Sequence, residues 1–389
     1  MLTTNQRLTH EEAVALAKKL AEKARGRIHE GEILNRQPDE TIQEIVDSGL
    51  VRALQPLRFH GHELMFDTLV DTTIEMAKAN PASGWCYTLL LVHQWMLAGW
   101  PEEAQREIWS ANPDANIATA FASPKDGKIE RVEGGYRISG IWPYSSGVYH
   151  SEWVMVTAYA PAPDDEGRQV RTMFLVPREE YEILDDWKVT GLRASGSNSL
   201  VVKDAFVPDY RTVNIEKWSE EGISPGMVVN PGPQYQLPLS SAIPTCLVSA
   251  VFGATIGAYE LYVENVKSKM ASGLLDPSKT AHVQHRISEM SATLDALDGL
   301  IRKSLALLRS GSALTKRDKV RLMRNYAYIA RSCSKIADEI FQYSGSSALY
   351  DSTLSQLYWR DIKTMSMHGQ LNFDAASLAY GSYELGITN

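Results

Sequence analysis

Two histidines stand at positions where a side chain could move protons. His93 lies in an apolar segment, four and eight residues after Leu89 and Trp85, so a helix would place all three on one face. His368 comes at the end of a second helical run, where the helix dipole favours a cation. Imidazole titrates near pH 6.5 and therefore serves as a general acid or base in neutral solution. Each residue also has a structural interpretation, a core histidine for His93 and a capping histidine for His368.

The helix that would carry His93 has a strong start signal. Asn80 is a good N-cap residue, and Pro81 suits the first helical position. Near the N-terminus, Thr9 and Glu12 have the spacing of a capping box, which predicts a helix from there to about Gly26. The first third of the chain is therefore expected to be helical.

The hydrophobic period changes at about residue 117. Short β-rich runs are predicted at 136–142, 153–158, 172–177 and 198–203, with glycine-rich turns between them. After a proline-rich crossing segment, long helical runs are predicted at 245–272, 278–310, 316–344 and 351–368. Asp351 would cap the last run and Gly369 would end it in the left-handed conformation. Four long helices with short links favour a bundle.

Three motifs are similar to those of one protein superfamily. Residues 136–147 (YRISGIWPYSSG), 187–199 (WKVTGLRASGSNS) and 358–361 (YWRD) resemble β-domain and C-terminal motifs of the acyl-CoA dehydrogenases. The resemblance covers nearly the whole chain and implies the α+β fold of that superfamily. It divides the chain into an N-terminal helical domain, a central small β-barrel or sandwich domain and a C-terminal four-helix bundle, at 1–115, 116–214 and 215–389.

The C-terminal motif differs at the position of the catalytic base. In many of these dehydrogenases a glutamate follows the motif and removes the proton alpha to the thioester; alignment on Arg360 and Asp361 puts Gly369 there. The neighbouring His368 resembles the active-site histidine of the group D flavin-dependent monooxygenases, which use the same scaffold. His93 resembles a second histidine of that branch, which projects into the substrate cavity. The fold is expected to be kept and the reaction changed.

Members of this branch are the oxygenase components of two-component systems. The resemblance implies that reduced flavin, FADH2 or FMNH2, diffuses from a separate NAD(P)H:flavin reductase and reacts with O2 to give a C4a-(hydro)peroxyflavin. This species would hydroxylate a phenolic or indolic small molecule. His93 or His368 would act as the base, and the other would bind substrate or peroxide. A homotetramer is also implied.

The resemblance further suggests which residues bind the ligands. Cofactor-binding candidates are Trp142, Tyr144, Ser145, Ser146, Ser195, Ser197, Asn198, Arg286, Gly345, Ser346 and Ser347. Small hydroxyls can approach a flat ring, and a turn of small residues can direct backbone N–H groups towards a phosphate. Substrate-binding candidates are Trp85, Trp95 and Met365, whose bulk would keep water out.

The composition is that of a soluble globular protein. The chain has 389 residues, 44% hydrophobic and 22% charged, and a net charge of −8 that argues against nucleic acid or anionic membranes as partners. Cys86, Cys246 and Cys333 are isolated in sequence, as expected for a reduced, cytoplasmic protein. Neither a signal peptide nor a segment apolar and long enough to span a bilayer is expected. The histidines lack a ligand pattern with acidic partners, so no metal site is predicted.

Two other functions remain open on the sequence alone. The first is an acyl-CoA dehydrogenase whose base comes from elsewhere in the bundle, with Glu260 or Glu264 as candidates. The second is a non-catalytic flavin- or ligand-binding homologue that has lost its base. The sequence also leaves open the aromatic substrate and the choice between FMN and FAD.

Overall fold

The computed structural model describes residues 7–163, 165–311 and 314–387. Within these ranges the chain forms helices α1 to α12 and strands β1 to β8, with the strands between Ile117 and Asn214. Helices precede and follow the strands. This α+β architecture is the one expected from the motifs.

The first six helices form the N-terminal part. They are α1 (His10–Gly26), α2 (Ile28–Leu34), α3 (Asp39–Asp47), α4 (Phe66–Ala79), α5 (Pro81–Leu97) and α6 (Glu102–Ala111). Both predicted starts are confirmed. Thr9 and Glu12 form a reciprocal capping box, and the Asn80 side chain accepts the backbone N–H of Ser83 ahead of Pro81.

Two four-stranded sheets make up the central part. Their strands are β1 (Ile117–Ala120), β2 (Lys125–Val132), β3 (Gly135–Ser145), β4 (Trp153–Ala162), β5 (Asp165–Pro177), β6 (Tyr181–Ile183), β7 (Asn198–Pro208) and β8 (Thr212–Asn214). One sheet has the order β1-β4-β5-β8 and the other β2-β3-β7-β6. Residues of both sheets, including Phe174 and Trp142, share one apolar core, so the sheets pack face to face.

The remaining helices are α7 (Ile215–Glu221), α8 (Leu239–Ala271), α9 (Ala281–Leu308), α10 (Lys316–Ser344), α11 (Leu354–Ser366) and α12 (Phe373–Glu384). The bounds of α10 are as predicted. α8 begins six residues earlier than predicted, although it contains Pro244. The proline lacks only the N–H that would bond the Ser240 carbonyl, and the rest of the buried helix continues through it.

The predicted end of the chain is wrong in two respects. α11 starts after Thr353 instead of Asp351 and stops at Ser366, two residues before His368. Gly369 is absent from the glycines with positive φ and instead begins a 3-10 turn, Gly369–Leu371, that His368 caps. This turn leads into α12, which was not predicted.

One apolar cluster joins the helices on either side of the sheets. It contains Leu69 of α4, Leu91 of α5, Val251 of α8 and Ile362 of α11. α8 has the length and apolar composition of a membrane span, contrary to the expectation that no segment has them. However, 89% of its apolar window is buried inside the protein, so α8 is the central helix of this shared core.

Candidate active site

The YWRD motif fixes α11 to three other parts of the molecule. The Tyr358 hydroxyl bonds the carbonyl oxygens of Lys78 and Ala79 at the end of α4 (2.7 and 2.9 Å). Arg360 forms an ion pair with Glu32 of α2 at 2.6 Å. The Asp361 carboxylate accepts the backbone N–H of Leu192 at 2.6 Å. These contacts hold α11 against the N-terminal helices and against the loop at Leu192.

His368 lies beside an aromatic ring with one nitrogen committed. Its imidazole centroid is 6.0 Å from the indole of Trp85, at an interplanar angle of 55°. Nδ1 accepts the backbone N–H of Gln370 at 3.3 Å, and because an amide N–H can only donate, Nδ1 carries no proton in the neutral ring. Nε2 therefore carries the proton and is a donor. Burial lowers the pKa of His368 below its usual 6.5, so the ring is neutral at pH 7.

Trp85 also joins His368 to a row of serines from the β region. The indole Nε1–H donates to Ser146 Oγ at 3.1 Å. Ser146 Oγ lies 2.7 Å from Ser197 Oγ, which lies 2.7 Å from Ser195 Oγ, and the Ser195 hydroxyl bonds the Leu192 carbonyl at 2.7 Å. We call Ser146, Ser197 and Ser195 the serine chain.

The proton positions in the serine chain follow from its two ends. A carbonyl oxygen only accepts, so Ser195 must donate to Leu192. Since each hydroxyl has a single proton, Ser197 donates to Ser195, and Ser146 donates to Ser197. Ser146 then accepts from the Trp85 indole, as its geometry requires. All three hydroxyl protons are committed, so the chain offers a ligand only acceptor lone pairs.

His93 has the opposite tautomer to His368. Its Nδ1 is 2.6 Å from the carbonyl oxygen of Ile117 on β1, so Nδ1 must carry the proton. Nε2 is left as an acceptor, and the hydroxyl of Thr119 lies 3.0 Å from it. Burial lowers the pKa of His93 to about 4, so its Nε2 lone pair is free of a proton at neutral pH. Thr119 was not singled out in the sequence.

Leu89 lies between Trp85 and His93 on α5. Every other residue of α5 is buried, but Leu89 is partly exposed. It lies four residues after Trp85 and four before His93, on the same face. The eight residues from Trp85 to His93 span about 12 Å along the helix axis, roughly the length of one aromatic ring with a hydrogen bond at each end.

Other predicted site residues lie elsewhere. Trp142 is completely buried between the two sheets, where its indole N–H bonds the Thr157 carbonyl. Trp95 is buried between Phe66 and Trp218. Both indoles contribute to core packing.

Three more predicted residues have different surroundings again. Met365 is buried in the helical core. Asn198 accepts the backbone N–H groups of Asp186 and Trp187, so its side chain ties the start of β7 to that loop. Tyr144, with φ of 68°, is 67% exposed and lies edge-on to Trp187.

A separate group of predicted residues lies at the end of α10. The Arg286 guanidinium stacks over the Tyr343 ring, 3.4 Å from its centroid. Gly345 has φ of 83° and open space around the position of a Cβ, and Ser346 and Ser347 are exposed after it. Within a single molecule, this turn makes no described contact with the serine chain.

The residues around the serine chain suit a flavin. Ser145 Oγ is fully buried at the end of β3 and has no hydrogen-bond partner among the described residues. A buried hydroxyl without a partner costs roughly 1–3 kcal/mol, which a polar ligand edge would recover. The acceptors of Ser146 and Ser197 lie next to it in sequence or space. Flat rings of Trp85 and His368 stand at the same place.

Comparison with known proteins defines first the fold class and then the family. Residues 245–373 match the family model of the acyl-CoA dehydrogenase C-terminal domain. Over 370 residues the chain is 30% identical to the flavin-dependent monooxygenase oxygenase subunit HsaA of Rhodococcus jostii (strain RHA1), covering 93% of this chain and 95% of that protein. It is 29% identical over 391 residues to an FADH(2)-dependent resorcinol hydroxylase, oxygenase component, of Rhizobium sp. (strain MTP-10005), covering 97% and 95%.

A solved structure agrees with these relatives. The crystal structure of the HsaA monooxygenase from M. tuberculosis superposes with a TM-score of 0.90 at 30% identity, covering 98% of this chain and 100% of that one. The chain belongs to the oxygenase components of flavin-dependent monooxygenases with the acyl-CoA dehydrogenase-like fold. It is an enzyme that uses reduced flavin and O2.

The two glutamates considered as the base of a dehydrogenase are exposed. Glu260 pairs with Lys78 at 2.8 Å and its side chain is 46% exposed, while the Glu264 side chain is 72% exposed. Both lie on the solvent side of α8. The buried Asp361 is bonded to Leu192 behind the serine chain.

Proposed function

We propose that the protein hydroxylates a phenol, with His93 accepting the phenolic proton through Thr119 and His368 donating a hydrogen bond to the oxygen being transferred. The observation that carries this proposal is the pair of opposite tautomers. One imidazole has an unprotonated Nε2 and the other a protonated Nε2. His93 lies on the face of α5 that also carries Trp85, and Trp85 contacts His368. A phenol oriented along α5 needs one acceptor for its O–H and one donor at its other end.

The weak basicity of His93 decides when the proton moves. A phenol has a pKa of about 10, so full transfer to an imidazole of pKa about 4 would cost roughly 8 kcal/mol before reaction. The bound substrate therefore keeps its proton and donates it as a hydrogen bond to Thr119 Oγ, which itself donates to Nε2 of His93. As the ring attacks oxygen, its C–O bond becomes a carbonyl and the O–H becomes strongly acidic. The phenolic proton then passes to Thr119 Oγ while the Thr119 proton passes to Nε2, so that Thr119 relays the proton to His93.

Reduced flavin supplies the activation of O2. The residues of this chain hold and orient it through the acceptors of the serine chain and the unpartnered Ser145 hydroxyl. Trp85 and Leu89 make the substrate side apolar. An apolar surface excludes water, which would otherwise promote the release of hydrogen peroxide before oxygen is transferred to the substrate.

The flavin tail has its own proposed site at the end of α10. Gly345, Ser346 and Ser347 offer small residues and backbone groups to a phosphate, and Arg286 adds a positive charge. This turn is exposed and does not contact the serine chain of its own molecule. We therefore propose that it serves a neighbouring subunit in a homotetramer. A separate reductase would supply the reduced flavin in the cytoplasm.

A labelling experiment tests the phenol hydroxylase proposal. Photoreduced FAD or FMN would be supplied to the purified protein with 18O2 and a panel of phenols. The panel would include resorcinol and p-hydroxyphenylacetate, the substrates for which two relatives are named. Photoreduction makes the test independent of any reductase. We expect one 18O atom per product molecule with at least one phenol.

Two results would contradict the proposal. One is that all the O2 consumed by reduced flavin is released as hydrogen peroxide and no phenol gives a labelled product. The other is reduction of bound oxidised flavin by an acyl-CoA, which would return the chain to dehydrogenase chemistry. If only an indole or a thioether gave a labelled product, the protein would still be a monooxygenase, but the role given to His93 would be wrong.

A further inference from the structure

Asp361 is a buried carboxylate that the proposed chemistry does not use. It lies within α11, is 1% exposed, and bonds a backbone N–H 169 residues away in sequence. Its second oxygen, Oδ2, is buried without a hydrogen-bond partner among the described residues. Burying a carboxylate costs free energy. A charged acceptor forms a stronger hydrogen bond than a neutral one, so Asp361 holds the Leu192 N–H more firmly than a neutral side chain would.

The residue it holds is in an unusual conformation. Leu192 has φ of 55° and ψ of 32°, a left-handed geometry that costs a residue with a Cβ roughly 1–2 kcal/mol. The peptide groups on both sides are fixed. Asp361 binds the N–H, and the carbonyl oxygen accepts the Ser195 N–H at 3.0 Å, the Ser195 hydroxyl at 2.7 Å and the Trp187 indole at 2.9 Å.

Backbone contact makes this link rigid. A Cβ on Gly191 would lie 2.2 Å from the carbonyl oxygen of Arg360, so the loop runs directly against α11. The loop is therefore packed against α11, and the bond to Asp361 opposes relaxation of the strained Leu192 backbone. Its carbonyl, the acceptor that sets the direction of the whole serine chain, is aimed by α11.

We propose that Asp361 is a positioning residue for oxygen transfer, which acts through the Leu192 peptide to keep all three hydroxyl protons of the serine chain pointing away from the flavin. This rests on the proposed function, in which the serine chain faces the flavin. If the Leu192 carbonyl turned away, Ser195 would be free to donate elsewhere and the direction of the chain would no longer be fixed.

The consequence is selectivity for the reduced flavin. Reduced flavin carries a proton on a ring nitrogen that is bare in oxidised flavin, so the acceptor-only serine chain bonds this position in the reduced form and offers no donor to it in the oxidised form. The quantity that reports this is the selectivity ratio, the Kd of oxidised flavin divided by the Kd of reduced flavin.

The first test compares Asp361→Ala, Ser195→Ala and their combination. Each single variant should lower the selectivity ratio about tenfold and increase peroxide release per O2 consumed. Because both act on the same serine chain, the double variant should fall no further than either single one. Tyr358→Phe is the matched control, since it weakens the anchoring of the same helix without touching Leu192. It should lower the melting temperature and leave the ratio unchanged.

Asp361→Asn keeps the test decisive even if the alanine variant does not fold. The amide retains the volume and an acceptor but loses the charge, so the ratio should fall about threefold at pH 8. Asp361 is faced by Glu32 of α2, by Arg360 beside it and by Arg193 of the loop, and burial followed by Glu32 raises its pKa to about 7. Wild type and Asp361→Asn should therefore differ above pH 7 and converge below it. Comparing the two cancels the ionisation of the flavin itself.

Two results overturn the proposal. One is a selectivity ratio in Asp361→Asn equal to that of wild type from pH 6 to 8, while wild type hydroxylates a phenol. The other is an equal fall in Tyr358→Phe. A wild-type protein that forms no labelled product would instead overturn the proposed function, so the two failures are distinguishable.

Discussion

Replacing His93 by asparagine separates its catalytic role from its structural one. The asparagine amide can still donate to the Ile117 carbonyl, as Nδ1 does now, but it has no group at the position of Nε2. Loss of a general base slows a reaction by about 10²- to 10⁴-fold, so we expect hydroxylation at pH 7 to fall by at least about a hundredfold. The Thr119 hydroxyl loses its partner, which should cost roughly 1–3 kcal/mol of stability.

His368→Asn is the matched variant. The asparagine oxygen can keep the bond from the Gln370 N–H, and only the Nε2–H donor is lost. We expect this variant to consume O2 at a rate near that of wild type but to release hydrogen peroxide in place of product. Single-turnover assays that quantify product, peroxide and O2 in parallel distinguish the two losses.

Raising the pH provides the sharper distinction. A phenol near its pKa of about 10 binds partly as phenolate, which needs no base. His93→Asn should therefore recover hydroxylation as the pH rises towards 9, whereas His368→Asn should not. Wild-type product yield in His93→Asn at pH 7, or a loss that high pH does not repair, would refute the tautomer argument.

Three further predictions concern stability and flavin binding. The pKa of His93 is about 4 in the folded protein and near 6.5 in the unfolded chain, so the unfolded state binds more protons between these values. The free energy of unfolding should therefore fall by about 3 kcal/mol from pH 7 to 4. Denaturant titrations of His93→Asn should show a smaller fall. Ser145→Ala should weaken flavin binding about tenfold in equilibrium titrations without lowering the melting temperature, because its hydroxyl has no partner in the protein. Arg286→Ala should weaken binding of FAD or FMN but not of riboflavin, which lacks a phosphate; equal weakening of all three would remove it from the tail site.

The parts of the fold that local signals specify could be predicted. Thr9 and Asn80 mark helix starts through bonds to residues three positions on, and these bonds are present. The bounds of α10 follow from a capping box at Thr315 and a glycine at 345. In each case the deciding contact lies within one helical turn of the residue that makes it.

The end of α11 could not be read in the same way. Gly369 after a periodic run is a common stop signal, but here the helix ends at Ser366 and His368 caps a 3-10 turn. Without that turn, His368 would not present Nδ1 to the Gln370 N–H. The tautomer that distinguishes it from His93 is therefore a property of the tertiary structure.

The site shows the same division between type and role. Ser146, Ser195 and Ser197 were chosen by motif and Trp85 as a substrate-binding candidate, and the structure brings them together in one hydrogen-bonded row. Thr119 was missed because a single hydroxyl in an apolar strand carries no spacing signal. Asp361 was recognised only as part of a motif, since its partner is a backbone N–H 169 residues away.

The most direct test of oxygen transfer is a stopped-flow experiment in which anaerobic protein with reduced flavin is mixed with buffer containing O2. The account predicts a near-ultraviolet absorbance band that persists well before the spectrum of oxidised flavin returns, and that decays with formation of a hydroxylated phenol when one is present. Immediate return of the oxidised spectrum with stoichiometric hydrogen peroxide, with and without phenol, would contradict it.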